Sequence, residues 1–412
     1  MRIIAVLSIL AAVAISIVLY CLVSDYNEKE QARREELSML NKELYEENKN
    51  SGDHFGVDSE TDPYISGGYS TDTNKSPDDT ADTDTTEYNG TTTEVINDNN
   101  ENDDFYTKLK NKEQVNVLFV GDGITEGNGV DDYNRRWVNR LVNEIETSYG
   151  AELKGYNYGK ENSDAFYGYS NMSFRLTYVY DLVVVCYGAK DDPNTFKMYY
   201  DGLLRAIKNQ NPKCEIYCII EANPLGYGEN ADAVREICSY YGGVCIDVNA
   251  YFKENNIDMS ETLVDLIPNE AGNLAYYWCI SAVLAENLVE GREVPSVVTP
   301  NYSTTKYFDN YRVIRRNQMQ PTGNTVFEFS VRGNTASLVY FENYSNGGDI
   351  KVYVNDEQVI NVNNKSLSDV DSKKLNFMRI STELYGVNKI RIETDTADNA
   401  FNIYGVAISG DK

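Results

Sequence analysis

Several acidic side chains in the middle of the chain are candidates for chemistry, because they stand near the ends of apolar runs. Paired carboxylates can act as general acid and base on a glycoside, or they can hold a hard cation. The alternative is that Asp122 and Asp265 cap loops through hydrogen bonds and that the other carboxylates are solvated. The carboxylates that could gather in this way are Asp122, Glu126, Asp191, Asp192 and Asp265.

Histidine chemistry is restricted by composition, because the chain contains a single histidine, His54. His54 lies in a polar tract, far from any predicted strand or helix. A His-based zinc site and a Ser-His dyad in the folded part are therefore excluded. No Cys-x-x-Cys motif indicates a metal or redox site, so we expect neither a metal nor a cofactor.

The segment at 121–127 reads Gly-Asp-Gly-Ile-Thr-Glu-Gly and has two interpretations. The dinucleotide-binding motif G-x-G-x-x-G would need a third glycine where Glu126 stands, and a carboxylate there would face a pyrophosphate. The segment instead resembles block I of the SGNH/GDSL hydrolases, usually G-D-S-I-T-x-G. Every position agrees except that Gly123 stands where this family has its nucleophilic serine. A glycine has no oxygen that could attack a carbonyl.

The next two blocks of the family also have counterparts, in the family's order. Asn-Tyr-Gly at 157–159 resembles block II, and Gly159 corresponds to the glycine whose N–H helps to form the oxyanion hole. Gly-Ala-Lys-Asp at 188–191 resembles block III, in which Lys190 stands where an oxyanion asparagine is expected.

The last block, D-x-x-H-P-N-x-x-G, resembles residues 265–272 but lacks the histidine. If the Pro-Asn pair anchors the match, Ile267 occupies the histidine position. If Asp265 anchors it, the histidine is deleted. The resemblance to this family covers about residues 113–290. A serine esterase needs both a hydroxyl and a base that takes its proton, and the matching positions in this chain carry neither group.

The resemblance therefore implies an esterase fold without its machinery, and we predict a catalytically inactive protein that binds cell-envelope or extracellular glycan. Tyr167 and Tyr169, in the predicted loop after block II, could stack on a sugar, while Lys190 could attract an acidic group. The predicted ligand-binding residues are Asp122, Tyr167, Tyr169, Lys190 and Asp191. Two alternatives stay open: an active esterase or acetyl-hydrolase on acylated carbohydrate with relocated residues, and a structural component of an envelope complex.

The elements that would position these residues alternate between strand and helix from Val115 onward. Such alternation predicts a parallel sheet covered on both faces, and five strands suit a flavodoxin-like, three-layer α/β domain at 113–292. The predicted strands begin at Val115 and continue with 152–157, 181–186, 214–220 and 244–248. The predicted helices begin near Asp132 and continue with 196–208, 231–241 and 272–290.

The pattern changes after Pro295 and Pro300, where short segments alternate between apolar and polar residues. This spacing predicts an all-β sandwich at 300–412. Residues 349–359 resemble the hairpin common in carbohydrate-binding jelly rolls, although a sandwich that only packs on the α/β domain is an equal alternative. The predicted strands are 325–331, 336–341, 350–354, 389–393 and 401–408.

The N-terminal part predicts attachment to a membrane. Residues 3–23 are apolar apart from two serines, which is long enough for a transmembrane helix, and we predict an uncleaved anchor at 1–24 with the bulk of the chain outside the cell. A cleaved signal peptide is the rival interpretation. Residues 25–48 favour a juxtamembrane helix. Residues 49–112 are acidic and poor in aliphatic side chains, which predicts a disordered stalk.

The net charge restricts the classes of binding partner, and the cysteine content raises the question of a disulfide. The formal charge of −27 argues against nucleic acid as a ligand. The expected partners are therefore the membrane, through the N-terminal helix, and a polysaccharide. Among the seven cysteines, the sequence leaves open whether Cys238 and Cys245 form a disulfide.

Overall fold

The structure, a computed structural model, describes residues 103–174, 179–295, 308, 310–366 and 375–410. The predicted anchor at 1–24, the juxtamembrane helix and most of the stalk lie outside these residues. Within the described part, no helix is long and apolar enough to cross a membrane.

The first domain is built on a five-stranded sheet in the order β2-β1-β3-β4-β5, in which every pair of neighbours is parallel. The apolar runs form the central strands, which are buried on both faces as parallel sheets require. This confirms the predicted flavodoxin-like sheet. Its strands are β1 Val115–Gly121, β2 Leu153–Gly159, β3 Leu182–Cys186, β4 Glu215–Ile220 and β5 Val244–Asp247.

Helices cover both faces of this sheet and enclose two apolar clusters, one on each side. The helix that the sequence predicts from near Asp132 begins at Trp137, after a 3-10 turn at Tyr133–Arg135. A short helix that was not predicted, α2, follows β1 directly. The helices are α1 Phe105–Asn111, α2 Gly123–Glu126, α3 Trp137–Thr147, α4 Ala165–Phe174, α5 Pro193–Gln210, α6 Ala231–Tyr240, α7 Val248–Glu254, α8 Met259–Thr262 and α9 Glu270–Glu290.

Helix α1 corrects the predicted boundary between stalk and domain. The sequence predicts a disordered stalk up to residue 112, but Phe105, Tyr106 and Leu109 are buried in the core of the α/β domain. Asp104 caps this helix, since its carboxylate accepts a hydrogen bond of 2.9 Å from the Thr107 backbone N–H. Three apolar side chains in seven residues are too few to stand out from a polar tract.

The C-terminal part is a β-sandwich, as predicted. Two antiparallel sheets, ordered β13-β12-β15-β10-β9 and β14-β11-β16-β8, share one apolar core. The predicted hairpin is present as β12 and β13. The strands are β8 Arg312–Arg315, β9 Gln320–Pro321, β10 Val326–Arg332, β11 Thr335–Phe341, β12 Asp349–Val354, β13 Glu357–Asn363, β14 Leu375–Ser381, β15 Val387–Thr394 and β16 Ile403–Ser409, with a short helix α10 Ala397–Ala400 before β16.

The sandwich packs on α4 through the outer face of its four-stranded sheet. Strand β11 is buried on both faces because alternate side chains face opposite ways. Leu338 points into the sandwich core, while Val339 belongs to the cluster shared with α4. At the same interface, the Ser170 and Ser337 hydroxyls lie 3.1 Å apart. Helix α4 is consequently buried on nearly all sides, which is typical of a helix without a polar face.

Candidate functional site

The candidate site lies where the sheet strands end, and its first part is the turn after β1. Asp122 caps α2, because its Oδ1 accepts a 2.9 Å hydrogen bond from the Ile124 N–H. The turn closes at Gly127, whose φ of +88° lies in the left-handed region that favours glycine. Trp137 stabilises the turn, because its indole N–H donates a 2.9 Å hydrogen bond to the Ile124 carbonyl.

The surroundings of Gly123 show what a side chain at this position would meet. A Cβ built on Gly123 would stand 3.4 Å from Cδ1 of Ile267 and 3.0 Å from Nδ2 of Asn128. Ile267 therefore lies beside Gly123. That Gly123 and Ile267 occupy the family's serine and histidine positions remains a prediction from the sequence.

Ile267 is held there by a small hairpin, β6 Leu263–Val264 and β7 Ile267–Pro268. The two residues of its turn, Asp265 and Leu266, have φ values of +49° and +70°, as a type I′ turn requires. Asp265 is exposed at the tip, so it does not approach Gly123 as closely as Ile267 does. Gly129 lets the hairpin approach, because a Cβ there would stand 2.9 Å from the Pro268 carbonyl oxygen.

Asn128 is a site residue that the sequence analysis missed. Its backbone N–H donates a 2.9 Å hydrogen bond to the Gly123 carbonyl, which fixes its position relative to the turn. Its half-buried side-chain amide has no hydrogen-bond partner among the described residues. An amide in this state can donate to, or accept from, a polar group of a ligand.

The end of β2 carries the second block. The Gly159 N–H donates a 2.8 Å hydrogen bond to Oδ1 of Asn157 and is thus already engaged. The Asn157 amide in turn donates to the Thr125 carbonyl at 2.8 Å. A Cβ at Gly159 would collide with the backbone N of Glu126, so glycine is required here for close approach of two backbone segments.

The third block forms the loop after β3. Lys190 is exposed, and its positive charge acts to lower the pKa of Asp122, against the burial that raises it. Asp191 is buried and braces the loop, since its carboxylate accepts hydrogen bonds from Ala165 N at 2.8 Å and from Gly188 N at 3.1 Å. It was predicted as a ligand-binding residue, yet both of its oxygens are bonded to backbone.

A third buried carboxylate, Glu221, joins Asp122 and Asp191 at this edge of the sheet. Burial and then the charge of Asp122 raise the pKa of Glu221 well above its ordinary value, and burial raises the pKa of Asp191 to about 7. Glu221 accepts a 2.5 Å hydrogen bond from the Ala189 N–H. Glu221 follows β4 directly, just as Asp122 follows β1. Its position after an apolar strand could therefore have identified it as a candidate from the sequence, but it was not among the predicted site residues.

The other predicted carboxylates have local roles. Asp192 is exposed and caps α5, with a 3.0 Å hydrogen bond from Asn194 N. Glu126 accepts a hydrogen bond of 2.5 Å from Glu161 N. Within the described ranges, no group of three His, Cys, Asp or Glu side chains is arranged to hold a metal ion.

Tyr167 and Tyr169 lie in α4 rather than in a loop. The Tyr167 ring is buried in the interface with the sandwich, and the Tyr169 ring is buried in the apolar cluster on one face of the parallel sheet. The Tyr167 ring packs edge-on against Phe377 with centroids 5.8 Å apart. The Tyr169 ring packs edge-on against Phe308 at 4.5 Å, and its hydroxyl donates to the Phe308 carbonyl. Neither ring is free to stack on a sugar, so the predicted stacking platform has to be given up.

Comparisons with known proteins agree with this geometry. Residues 119–275 match the GDSL-like Lipase/Acylhydrolase family. A two-domain esterase (CEX) active on acetylated mannans is similar in structure, with a TM-score of 0.54 and 16% sequence identity over 74% of this chain and 94% of that one. Its co-crystal with mannopentaose gives a TM-score of 0.53 at 15% identity over the same shares. No curated protein matches the chain.

The fold and the site thus define a class: an α/β domain of the SGNH type with an appended β-sandwich. Within the α/β domain, residues 119–275 are similar to the GDSL-like lipase/acylhydrolase domain. In the turn after β1, the apolar Ile267 side chain lies beside Gly123.

Proposed function

We propose that this protein is a membrane-anchored, extracellular relative of the SGNH esterases that binds glycan without hydrolysing it. One observation carries the proposal: a side chain at position 123 would have Ile267 at 3.4 Å, where a base would have to stand. Nucleophile and base act as a unit, and the loss of either in another serine hydrolase costs about a million-fold in turnover, roughly 8 kcal/mol of barrier.

The choice of glycan as ligand rests on two supports. The two-domain esterase of similar architecture is active on acetylated mannans, and an SGNH domain without a nucleophile still keeps polar groups at the ends of its strands. In this chain those groups include the Asn128 amide and the exposed Lys190 ammonium. An amide can select among sugar hydroxyls, and a lysine can attract an acidic substituent.

The absence of hydrolysis is tested with the soluble part of the chain, from residue 103 onward. We expect no turnover of p-nitrophenyl acetate or acetylated sugars above background and no labelling by a fluorophosphonate probe, which needs an activated serine. Labelling of one serine at a defined position would contradict the proposal and would identify a relocated nucleophile.

Glycan binding is tested with envelope polysaccharide fractions by calorimetry and pull-down. We expect weak binding, tens of micromolar to millimolar, or about 4–6 kcal/mol. Asn128→Ala and Lys190→Ala should each weaken it by about 1 kcal/mol. Lys110→Ala is the matched control, because Lys110 is exposed on α1, which leads into the opposite end of β1.

The same experiment separates the proposal from a structural role. If a glycan array and the pull-down both fail while the protein is folded, the envelope-scaffold alternative becomes the better account. An active hydrolase is the third candidate, and its support is the carboxylate group of Asp122, Asp191 and Glu221. Each of these accepts a backbone hydrogen bond, which favours a structural role for them.

The proposed location follows from the apolar run at 3–23. The full-length protein should stay with membranes after a high-salt wash, because screening does not release an apolar helix. Protease added to intact cells should cut between residues 49 and 102 and release a compact soluble fragment. An otherwise intact chain in the culture medium that lacks residues 1–23 would instead indicate a cleaved signal peptide.

A further inference from the structure

Three thiols meet on one face of the α/β domain, at the sheet edge formed by β5. Cys218 on β4 and Cys245 on β5 are direct partners in the parallel register. Cys245 faces α6, because its neighbour Ile246 points into the opposite cluster and side chains alternate along a strand. Cys238 lies on α6 in the same apolar cluster as Cys218. Its Sγ would stand 3.0 Å from a Cβ built on Gly243, two residues before Cys245. All three are free thiols in the structure.

The three positions differ in access to solvent. Strand β5 is the outermost strand, and Cys245 is exposed, whereas Cys218 and Cys238 are buried behind it. The hydrogen bond from the Cys238 thiol lowers the pKa of Cys245, while burial opposes the effect. The Arg235 guanidinium also lowers it, and the Asp247 carboxylate raises it. Of the two thiols, Cys245 therefore ionises more readily, because the pKa of Cys245 is lowered and the pKa of Cys238 is raised well above its ordinary value.

We propose that Cys245 and Cys238 form a redox-active modification site for low-molecular-weight disulfides. The Cys245 thiolate attacks one sulfur of the disulfide, a mixed disulfide forms on Cys245, and the other half leaves as a thiolate that takes up a proton. Cys238 then loses its proton and attacks the Cys245 sulfur, which releases the second small thiol. Two protein thiols and one small disulfide thus become one Cys238–Cys245 bond and two small thiols.

The position of the pair gives the modification a structural consequence. Cys238 lies in the last turn of α6, and Cys245 lies in the strand that follows it. The bond would tie the end of this helix to the edge strand across a short loop. Cys186, Cys214 and Cys279, by contrast, are buried in the core, and burial raises the pKa of each, so they provide internal references of low reactivity.

The test uses the full-length reduced protein and oxidised glutathione as the probe. We expect wild type to lose about 2 Da and to yield one disulfide-linked peptide pair that contains residues 238 and 245. Cys238→Ser should stop at a glutathione adduct on Cys245, a gain of about 305 Da. Cys245→Ser should form neither product at these positions. Cys279→Ser is the matched control and should behave as wild type. Peptide mapping distinguishes any reaction of Cys21 from reaction at residues 238 and 245.

A second measurement does not depend on the variants folding. In reduced wild type, iodoacetamide should alkylate Cys245 at least about tenfold faster than Cys279. The proposal is overturned if Cys245 reacts no faster than Cys279, if oxidised wild type keeps both thiols, or if the mapped disulfide joins another pair.

Discussion

A serine hydroxyl introduced at position 123 would find no base to take its proton. The nearest side chains are Ile267, which is apolar, and Asn128, whose amide cannot act as a general base at neutral pH. Gly123→Ser alone should therefore give no esterase turnover. Gly123→Ser with Ile267→His restores a hydroxyl and an imidazole side by side, and we expect a measurable but slow p-nitrophenyl acetate hydrolysis from the double variant only.

The control for the double variant is Ile267→His alone, which should be as inactive as wild type. Robust turnover from Gly123→Ser by itself would mean that another group already serves as base. Fluorophosphonate labelling provides the second measurement, because it reports an activated serine independently of substrate choice.

The residue-scale predictions succeeded where a side chain is fixed by its neighbours in sequence. Asp122 follows a buried strand and caps the next turn, so its place at the sheet edge could be inferred from the strand alone. Asn128 could not, because its relation to Gly123 depends on the path of the turn. Tyr167 was misplaced because the burial of its ring is imposed by Phe377, which is distant in sequence.

Helices α3 and α9 pack together with a carboxyl group between them. Glu144 on α3 is buried, accepts a 2.7 Å hydrogen bond from the Ser281 hydroxyl, and has its pKa raised by burial to about 7. The Glu144 carboxyl group therefore binds its proton more tightly in the folded protein than in the unfolded chain. The stability that the neutral carboxyl provides is present at low pH and is lost as pH rises from the ordinary value of 4.5 through about 7.

Replacing Glu144 with glutamine removes this titration, so wild type should lose about 3 kcal/mol relative to Glu144→Gln between about pH 5 and pH 8. Urea unfolding at each pH measures the difference. Glu290→Gln, at the exposed end of α9, is the control and should track wild type. A constant gap between wild type and Glu144→Gln across this range would show that the carboxyl does not titrate with folding.

Among the helices and strands, the sequence predicted most reliably those whose side chains all lie in the same kind of environment, so that their hydrophobic pattern is regular. The central strands β3 and β4 read as unbroken apolar runs because both of their faces are buried. Helix α4 was missed because its aromatic side chains face the sheet on one side and the sandwich on the other. It shows no amphipathic period that would distinguish it from an irregular segment.

The molecule as a whole is joined by this aromatic interface. Phe377 of β14 packs against both Tyr167 and Phe174 of α4, with ring centroids 5.8 and 5.6 Å apart. Arg379 of the same strand donates a 2.9 Å hydrogen bond to the Tyr199 hydroxyl on α5. Deleting residues 300–412 would therefore expose an apolar helix face, and any loss of glycan binding in such a fragment would report misfolding as readily as a missing site.

We expect the two domains to unfold together, because neither can bury its side of this interface alone. Phe377→Ala should lower the free energy of unfolding by about 3 kcal/mol, through lost contacts and a cavity between the domains, and should shift a single calorimetric transition to lower temperature. Phe401→Ala is the matched control: Phe401 lies in the same sandwich but is 67% exposed, so its removal should cost well under about 1 kcal/mol. Two separate transitions, with only the sandwich transition shifted by Phe377→Ala, would show that the domains are energetically independent despite their packed interface.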